Sequence, residues 1–292
     1  MSTLFPGFET RRVATRGGAI HLVHGGDGPP LLLMHGYPQT HAIWHRIAPR
    51  LALRFSVVAA DLRGYGDSSK PRGLPDHSNY SKRALAQDMV EAMAALGFDA
   101  FRVVGHDRGA RVAHRMALDH PARIVKAAVL DIVPTRTMYQ RTDRTFATAY
   151  YHWFFLIRPA PLPETLIGAD PEFYLKSHLG ARYAGLAPFD PLALAEYVRC
   201  FVDPATIHAT CEDYRAAAGI DLEHDEADLG RKMGCPLLVL WGRHGIMERC
   251  FNPLIDWAER ADNVSGSALD CGHYLPEEAP DRVLRELMQF LP

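Results

Sequence analysis

Residues 101–111 read Phe-Arg-Val-Val-Gly-His-Asp-Arg-Gly-Ala-Arg, and the reading of this stretch decides the architecture. A short apolar run, Phe101 to Val104, leads into Gly105-His106-Asp107-Arg108-Gly109, and a helical pattern follows over 108–119. A glycine on each side lets the chain double back sharply, because glycine accepts backbone angles and close approaches that a Cβ forbids. The spacing predicts a strand, a strained turn and a helix, with Asp107 at the tip. That is a nucleophile elbow carrying aspartate in the place more often held by serine. An aspartate that merely caps a helix would occupy the same position, so the neighbouring loops have to decide its role.

Working outward, the apolar runs at 31–34 (LLLM), 56–60 (SVVAA), 125–130 (VKAAVL), 236–242 (PLLVLWG) and 264–269 (VSGSAL) are strand candidates. They alternate with helical patterns at 42–52, 81–96, 251–261 and 280–290, the order expected of a mostly parallel sheet flanked by helices. Residues 10–24 read as a leading hairpin that ends in a GGDGPP turn. From 134 to 226 the alternation stops, and the segment is rich in aromatic residues, proline and helix formers. The expected organisation is therefore an α/β core of residues 1–133 and 227–292 interrupted by a helical cap at 134–226.

Composition narrows the function classes. With 48% hydrophobic and 23% charged side chains the chain can bury a sizeable core. Its 32 basic and 34 acidic residues give a formal net charge of -2, which offers no field to recruit nucleic acid or an anionic membrane. A small-molecule substrate fits better. The five cysteines are odd in number and contain no C-x-x-C pair, which argues against a disulfide framework and a zinc knuckle and for a reducing compartment. No run of about 18 apolar residues and no signal-like leader occurs, so a soluble cytoplasmic protein without a membrane partner is expected. The pair His41/His45 and the single His106 have no third ligand at a useful spacing, and neither a metal site nor a cofactor is expected.

Three loops supply what an aspartate nucleophile needs. His35-Gly36-Tyr37-Pro38 follows the first parallel strand, where backbone N–H groups can bind an oxyanion; the amides of Tyr37 and Arg108 are the candidates, with His35 in the site wall. Asp270-Cys271-Gly272-His273 follows the last strand and places His273 at a strand's carboxyl end, as a general base. Its orienting carboxylate is expected to be Asp131, after the sixth strand, because the seventh is followed by WGRHGIMER with no acid before Glu248. The loop Asp61-Leu-Arg-Gly-Tyr-Gly-Asp67-Ser68 is expected to shape the floor, or to be a glycine-rich turn only.

In HDRGAR, Arg108 and Arg111 stand at i and i+3 of the helix that Asp107 opens, on one face. The helix dipole disfavours cations there, so two of them ask for an anion. With these residues the chain resembles the fluoroacetate (haloacetate) dehalogenases of the α/β-hydrolase superfamily over nearly its whole length. A substrate carboxylate would answer for the arginines, through charge-assisted and potentially bidentate hydrogen bonds. The alternative is that both arginines pair with acids only to hold the elbow.

The resemblance implies more. His152, Trp153 and Tyr214 match the family's halide pocket, and the fold implied is the α/β-hydrolase fold. A carboxylate oxygen of Asp107 would displace halide from the carbon that bears it. Water activated by His273 would then hydrolyse the Asp107 ester, giving glycolate from fluoroacetate. The family also implies a homodimer. Relatives acting on epoxides or neutral haloalkanes usually carry Trp after the nucleophile, where Arg108 stands here. The nearest rival is nevertheless an epoxide hydrolase that uses Asp107 and His273 with Tyr150, Tyr151 or Tyr214 as acids. A ligand-binding scaffold without turnover and a serine esterase are weaker alternatives, the latter because no G-x-S-x-G occurs.

Overall fold

A computed structural model describes residues 4–292. Eight strands form one sheet in the order β1-β2-β4-β3-β5-β6-β7-β8: β1 (Glu9–Thr15), β2 (Gly18–Gly25), β3 (Pro30–Met34), β4 (Ser56–Ala60), β5 (Phe101–His106), β6 (Ile124–Leu130), β7 (Leu237–Gly242) and β8 (Val264–Leu269). The strands from β3 to β8 pair in parallel, and β2 runs antiparallel to both β1 and β4. The leading hairpin thus extends a parallel sheet at one edge.

The central strands are apolar over most of their length because both faces are covered. Alternate residues enter different cores, as the two-residue period of a strand requires. Leu32, Met34, Val58, Ala60, Val103 and Val129 face one cluster, which includes Met89 and Met116 from helices α2 (Lys82–Ala95) and α3 (Arg108–Asp119). Leu31, Leu33, Val57, Ala59, Val104 and Leu130 face the other, which includes Leu51 from α1 (Ala48–Leu51) and Leu287 from the terminal helix Pro280–Phe290. One departure from expectation lies at 42–52. In place of a single helix there is a 3-10 turn, His41–Trp44, capped by Thr40, and then α1 with Pro49 in its first turn. A proline has no N–H to continue a preceding helix and is best placed at a helix start.

Between β6 and β7 the described chain forms helices and no strand: α4 (Thr135–Gln140), α5 (Arg144–Ala149), α6 (His152–Phe155), α7 (Leu162–Gly168), α8 (Pro171–Gly180), α9 (Pro191–Phe201), α10 (Pro204–Ala218) and α11 (Ile220–Ala227). Several begin with an aspartate cap followed by proline, at Asp170-Pro171, Asp190-Pro191 and Asp203-Pro204. This combination satisfies the first free N–H groups and presets the backbone. The packing joins these helices to the first cluster, since Trp153, Leu175, Phe201 and Tyr214 belong to it. Among the described residues no helix is long and apolar enough to cross a membrane.

Candidate active site

Because β3, β5, β6 and β8 are parallel, their carboxyl ends lie along one edge of the sheet, and four loops converge there. At the end of β5, Asp107 adopts φ 44 and ψ -109, a sparsely populated conformation for a residue with a side chain. The turn is crowded enough to demand its glycines. A Cβ on Gly105 would lie 2.4 Å from the Gly109 carbonyl oxygen, and one on Gly109 would lie 2.5 Å from that of His35. The carbonyl oxygen of Asp107 accepts from the N–H groups of Ala110 and Arg111, so its backbone opens α3 while its side chain is free to face the site.

The Asp107 carboxylate accepts a hydrogen bond from the Tyr37 N–H at 3.0 Å. Burial acts to raise its pKa, but the combined fields of His273, Arg111, Arg108 and His106 outweigh that and leave it below the ordinary carboxylate value. Asp107 is therefore an anion at neutral pH. On the next loops, Asp131 Oδ2 lies 2.6 Å from His273 Nδ1, and Asp131 Oδ1 accepts from the Gly242 N–H at 2.9 Å. A carboxylate on Nδ1 fixes the tautomer that leaves Nε2 as the basic nitrogen. The His273 backbone is held too, since its carbonyl oxygen receives the Nε2 hydrogen of His106 at 2.8 Å. Burial pushes His106 down to about 3, so it serves as a neutral donor.

The two arginines differ. The guanidinium of Arg108 is fully buried and grips Asp213, Nε to Oδ2 at 2.7 Å and Nη2 to Oδ1 at 3.0 Å, and it lies 4.1 Å over the Tyr214 ring. Only its Nη1 lacks a protein partner. Arg111 forms no ion pair among the described residues. Its Nη1 donates to the Val133 carbonyl and the Thr135 hydroxyl, its Nε has no partner, and it lies 4.8 Å over the Trp153 ring. Both expectations thus hold in part for Arg108: most of its donors are committed to an acid, as in the structural alternative, and its Nη1 alone remains open to another anion. His35 Nδ1 bonds the Gly36 carbonyl, and its Nε2 receives the Leu62 N–H at 3.1 Å, so the ring braces the loop that carries Tyr37 against the one after β4.

Across from the elbow, the helical segment contributes His152 and Trp153 from α6 and Tyr214 from α10. Ring centroids are 5.7 Å apart for His152–Tyr214 and 6.2 Å for Trp153–Tyr214. His152 Nδ1, Trp153 Nε1 and the Tyr214 hydroxyl are each buried without a protein partner, whereas buried polar groups are ordinarily paired. Burial holds His152 well below its usual pKa, so it is a neutral imidazole. Of the other tyrosines of this segment, Tyr150 is buried with its hydroxyl 3.4 Å from His273 Nδ1, while Tyr151 is 50% exposed.

Asp213 is the residue that sequence reasoning missed, although it directly precedes Tyr214. It is buried and takes a short contact from Lys82 and a 2.8 Å hydrogen bond from the Tyr65 hydroxyl as well as the Arg108 pair. Burial opposes its charge, yet Arg108 and Lys82 hold its pKa far below the usual range. Removing one partner of such a buried pair leaves an uncompensated charge. Asp213→Ala should therefore destabilise the protein by about 3–5 kcal/mol. Thermal unfolding should show this as a Tm lower by roughly 10 °C, and an unchanged Tm would mean that Arg108 finds another anion.

As to metals, His21, His41 and Asp61 bring ligand-type atoms within 4.8 Å of one another. The two imidazole Nδ1 atoms and the N–H groups of His41 and Asp67 already bond the Asp61 oxygens, which makes this a hydrogen-bonded loop anchor. A second group, Glu164, His208 and Glu212, is bound through both glutamates to Arg215, whose charge opposes a cation there.

The family profile for the alpha/beta hydrolase fold matches residues 29–280. The chain is 50% identical to a fluoroacetate dehalogenase from Burkholderia sp over 289 residues, 99% of this chain and 95% of that protein. It is 34% identical to a soluble epoxide hydrolase from Corynebacterium sp. over 277 residues, 93% of each chain. Among solved structures, one from Nostoc sp assigned to the α/β hydrolases superposes with a TM-score of 0.96 at 62% identity, covering 97% of this chain and 98% of that one.

Proposed function

We propose, for a chain that belongs to the α/β-hydrolase family, hydrolytic removal of halide from a small 2-haloacid such as fluoroacetate through an ester on Asp107. The observation that carries this reading is a buried cluster beside Asp107 in which His152 Nδ1, Trp153 Nε1 and the Tyr214 hydroxyl have no protein partner and Arg111 makes no ion pair among the described residues. A small anion with a carboxylate at one end and a halogen at the other supplies both missing partners. The relative that acts on fluoroacetate supports the choice of halogen.

In this reading residues 134–226 act as a cap that closes the chamber. The substrate carboxylate rests on Arg111 and on the remaining Nη1 of Arg108, whose position Asp213 fixes. That grip offsets the repulsion between two carboxylates and aims the halogen-bearing carbon at Asp107. An Asp107 oxygen attacks the carbon, the carbon–halogen bond breaks, and halide leaves with its charge taken up by the three donors. Fluoride is strongly hydrated, so several donors are needed to replace its water. His273, oriented by Asp131, then takes a proton from water that attacks the Asp107 carbonyl carbon. The resulting oxyanion forms beside the Tyr37 and Arg108 amides and collapses, the departing glycolate oxygen takes the proton from His273, and Asp107 loses its remaining proton to water and returns to the carboxylate.

Halide release from fluoroacetate and chloroacetate, with styrene oxide as control, tests the reading. Arg111→Gln should lower kcat/KM for the haloacetates about 10²–10³-fold, because a buried charge-assisted grip is lost. It should have little effect on styrene oxide. Epoxide turnover that exceeds halide release in the unaltered enzyme would instead assign Tyr150 and Tyr214 as ring-opening acids.

A further inference from the structure

The site around Asp107, the chamber of the proposed reaction, is walled by buried residues: Asp107, Arg108, Arg111, His152, Trp153, Tyr214 and His273. A separate cavity of about 270 Å³ lies against the outer side of His273, and Tyr150, Arg182, His244 and Arg249 line it as well. Two guanidinium groups and two imidazoles line it; no acidic residue is among the lining, but Asp270 lies 2.7 Å from His244, Asp131 2.6 Å from His273 and Glu278 accepts from the Gly272 N–H, so the uncompensated charge is that of the two arginines. Neither Arg182 nor Arg249 forms an ion pair among the described residues. Arg182 donates to the Ala149 carbonyl at 3.1 Å and lies 4.5 Å over the Tyr150 ring, which places its charge on the partition. Tyr150 is that partition. Its ring centroid is 5.3 Å from that of His152 inside the chamber and 6.2 Å from that of His273.

We infer that this cavity is an anion vestibule, in which Arg182 and Arg249 collect small 2-substituted carboxylates before they pass Tyr150 into the chamber and receive the product carboxylate as it leaves. The net charge of the chain is -2, so attraction of an anion has to come from a local arrangement, and a pocket with cationic walls concentrates its counter-ion and raises the association rate. The role of the cavity as an entrance rests on the reading of Asp107 and His273 above. Its affinity for carboxylates does not.

Two measurements test it. Arg182→Met should lower kcat/KM for chloroacetate about tenfold, and the double variant with Arg249→Met more, with a flatter dependence on ionic strength between about 20 and 300 mM salt. Arg182→Lys should restore most of the salt dependence, because charge and not shape is at issue. Independently of turnover, calorimetric affinity for glycolate should fall at least about threefold in the double variant. Unchanged glycolate affinity together with an unchanged salt slope overturns the vestibule. Weakened glycolate binding in a protein that releases no halide from any haloacetate leaves the vestibule standing and overturns the dehalogenase reading alone.

Discussion

Asp107→Asn protein should release no halide from fluoroacetate or chloroacetate above about 10⁻⁴ of the unaltered rate, while binding the substrate more tightly than before. The two halves of this result come from one substitution acting on one oxygen. An amide is too weak a nucleophile to displace halide from carbon, so the ester cannot form. The same change removes the anion that faces the substrate carboxylate, while leaving Arg108 and Arg111 in place beside it. Two like charges a few ångströms apart repel by about 1 kcal/mol or more in a partly shielded site, which corresponds to roughly a tenfold gain in affinity on neutralising one of them. The shape is conserved, and the Tyr37 N–H at 3.0 Å keeps an oxygen acceptor. Calorimetry with fluoroacetate and a fluoride electrode read both halves. A variant that neither binds nor turns over has lost its fold, whereas one that binds tightly and releases halide would remove Asp107 from the mechanism.

How much of this site is legible in the sequence follows from how local each signal is. The elbow is local: a strand, two glycines and a helix within eleven residues dictate the strained turn, and the collisions a Cβ would meet at Gly105 and Gly109 are the reason for that spacing. Asp131 and His273 stand 142 positions apart, yet Asp131 directly follows β6 and His273 comes four residues beyond the end of β8 in the same sheet. Strand order therefore brings them to one edge, where they meet at 2.6 Å. The partner of Arg108 has no such rule behind it. Asp213 lies 105 residues away on α10, a helix whose docking depends on tertiary packing, and one residue's difference in register separates it from Tyr214 on the same turn. The available signal is energetic: a buried guanidinium requires an acid, and Asp213 is one of the few acids between β6 and β7 flanked by buried positions. His35 shows how a loop position can be legible while its bonds are not. Its loop does approach Asp107, but a neutral imidazole with one donor and one acceptor is equally suited to tying the Gly36 carbonyl to the Leu62 amide. Arg182 carries no pattern at all, since a basic residue between helices ordinarily reads as solvated surface.

His273→Asn separates the second chemical step from the first. Attack by Asp107 needs no proton transfer, so the variant should still displace halide once, giving a burst that approaches one halide per chain and then stops. What should fail is hydrolysis of the ester, because the water that attacks the Asp107 carbonyl has no base to take its proton. General-base catalysis contributes about 10²–10⁴-fold, and the steady-state rate should fall by that factor. The peptide containing Asp107 should gain about 58 Da, the mass of a carboxymethyl group replacing a proton, after incubation with either haloacetate. Asp131→Asn should lie between the two enzymes. Its amide can still occupy the position 2.6 Å from His273 Nδ1, but it stabilises the imidazolium less and permits the tautomer whose Nε2 carries hydrogen. An epoxide-opening enzyme would trap an adduct from styrene oxide and none from the haloacids. Slow halide release without a burst or an adduct would instead place His273 in the displacement step and exclude an ester that waits for it.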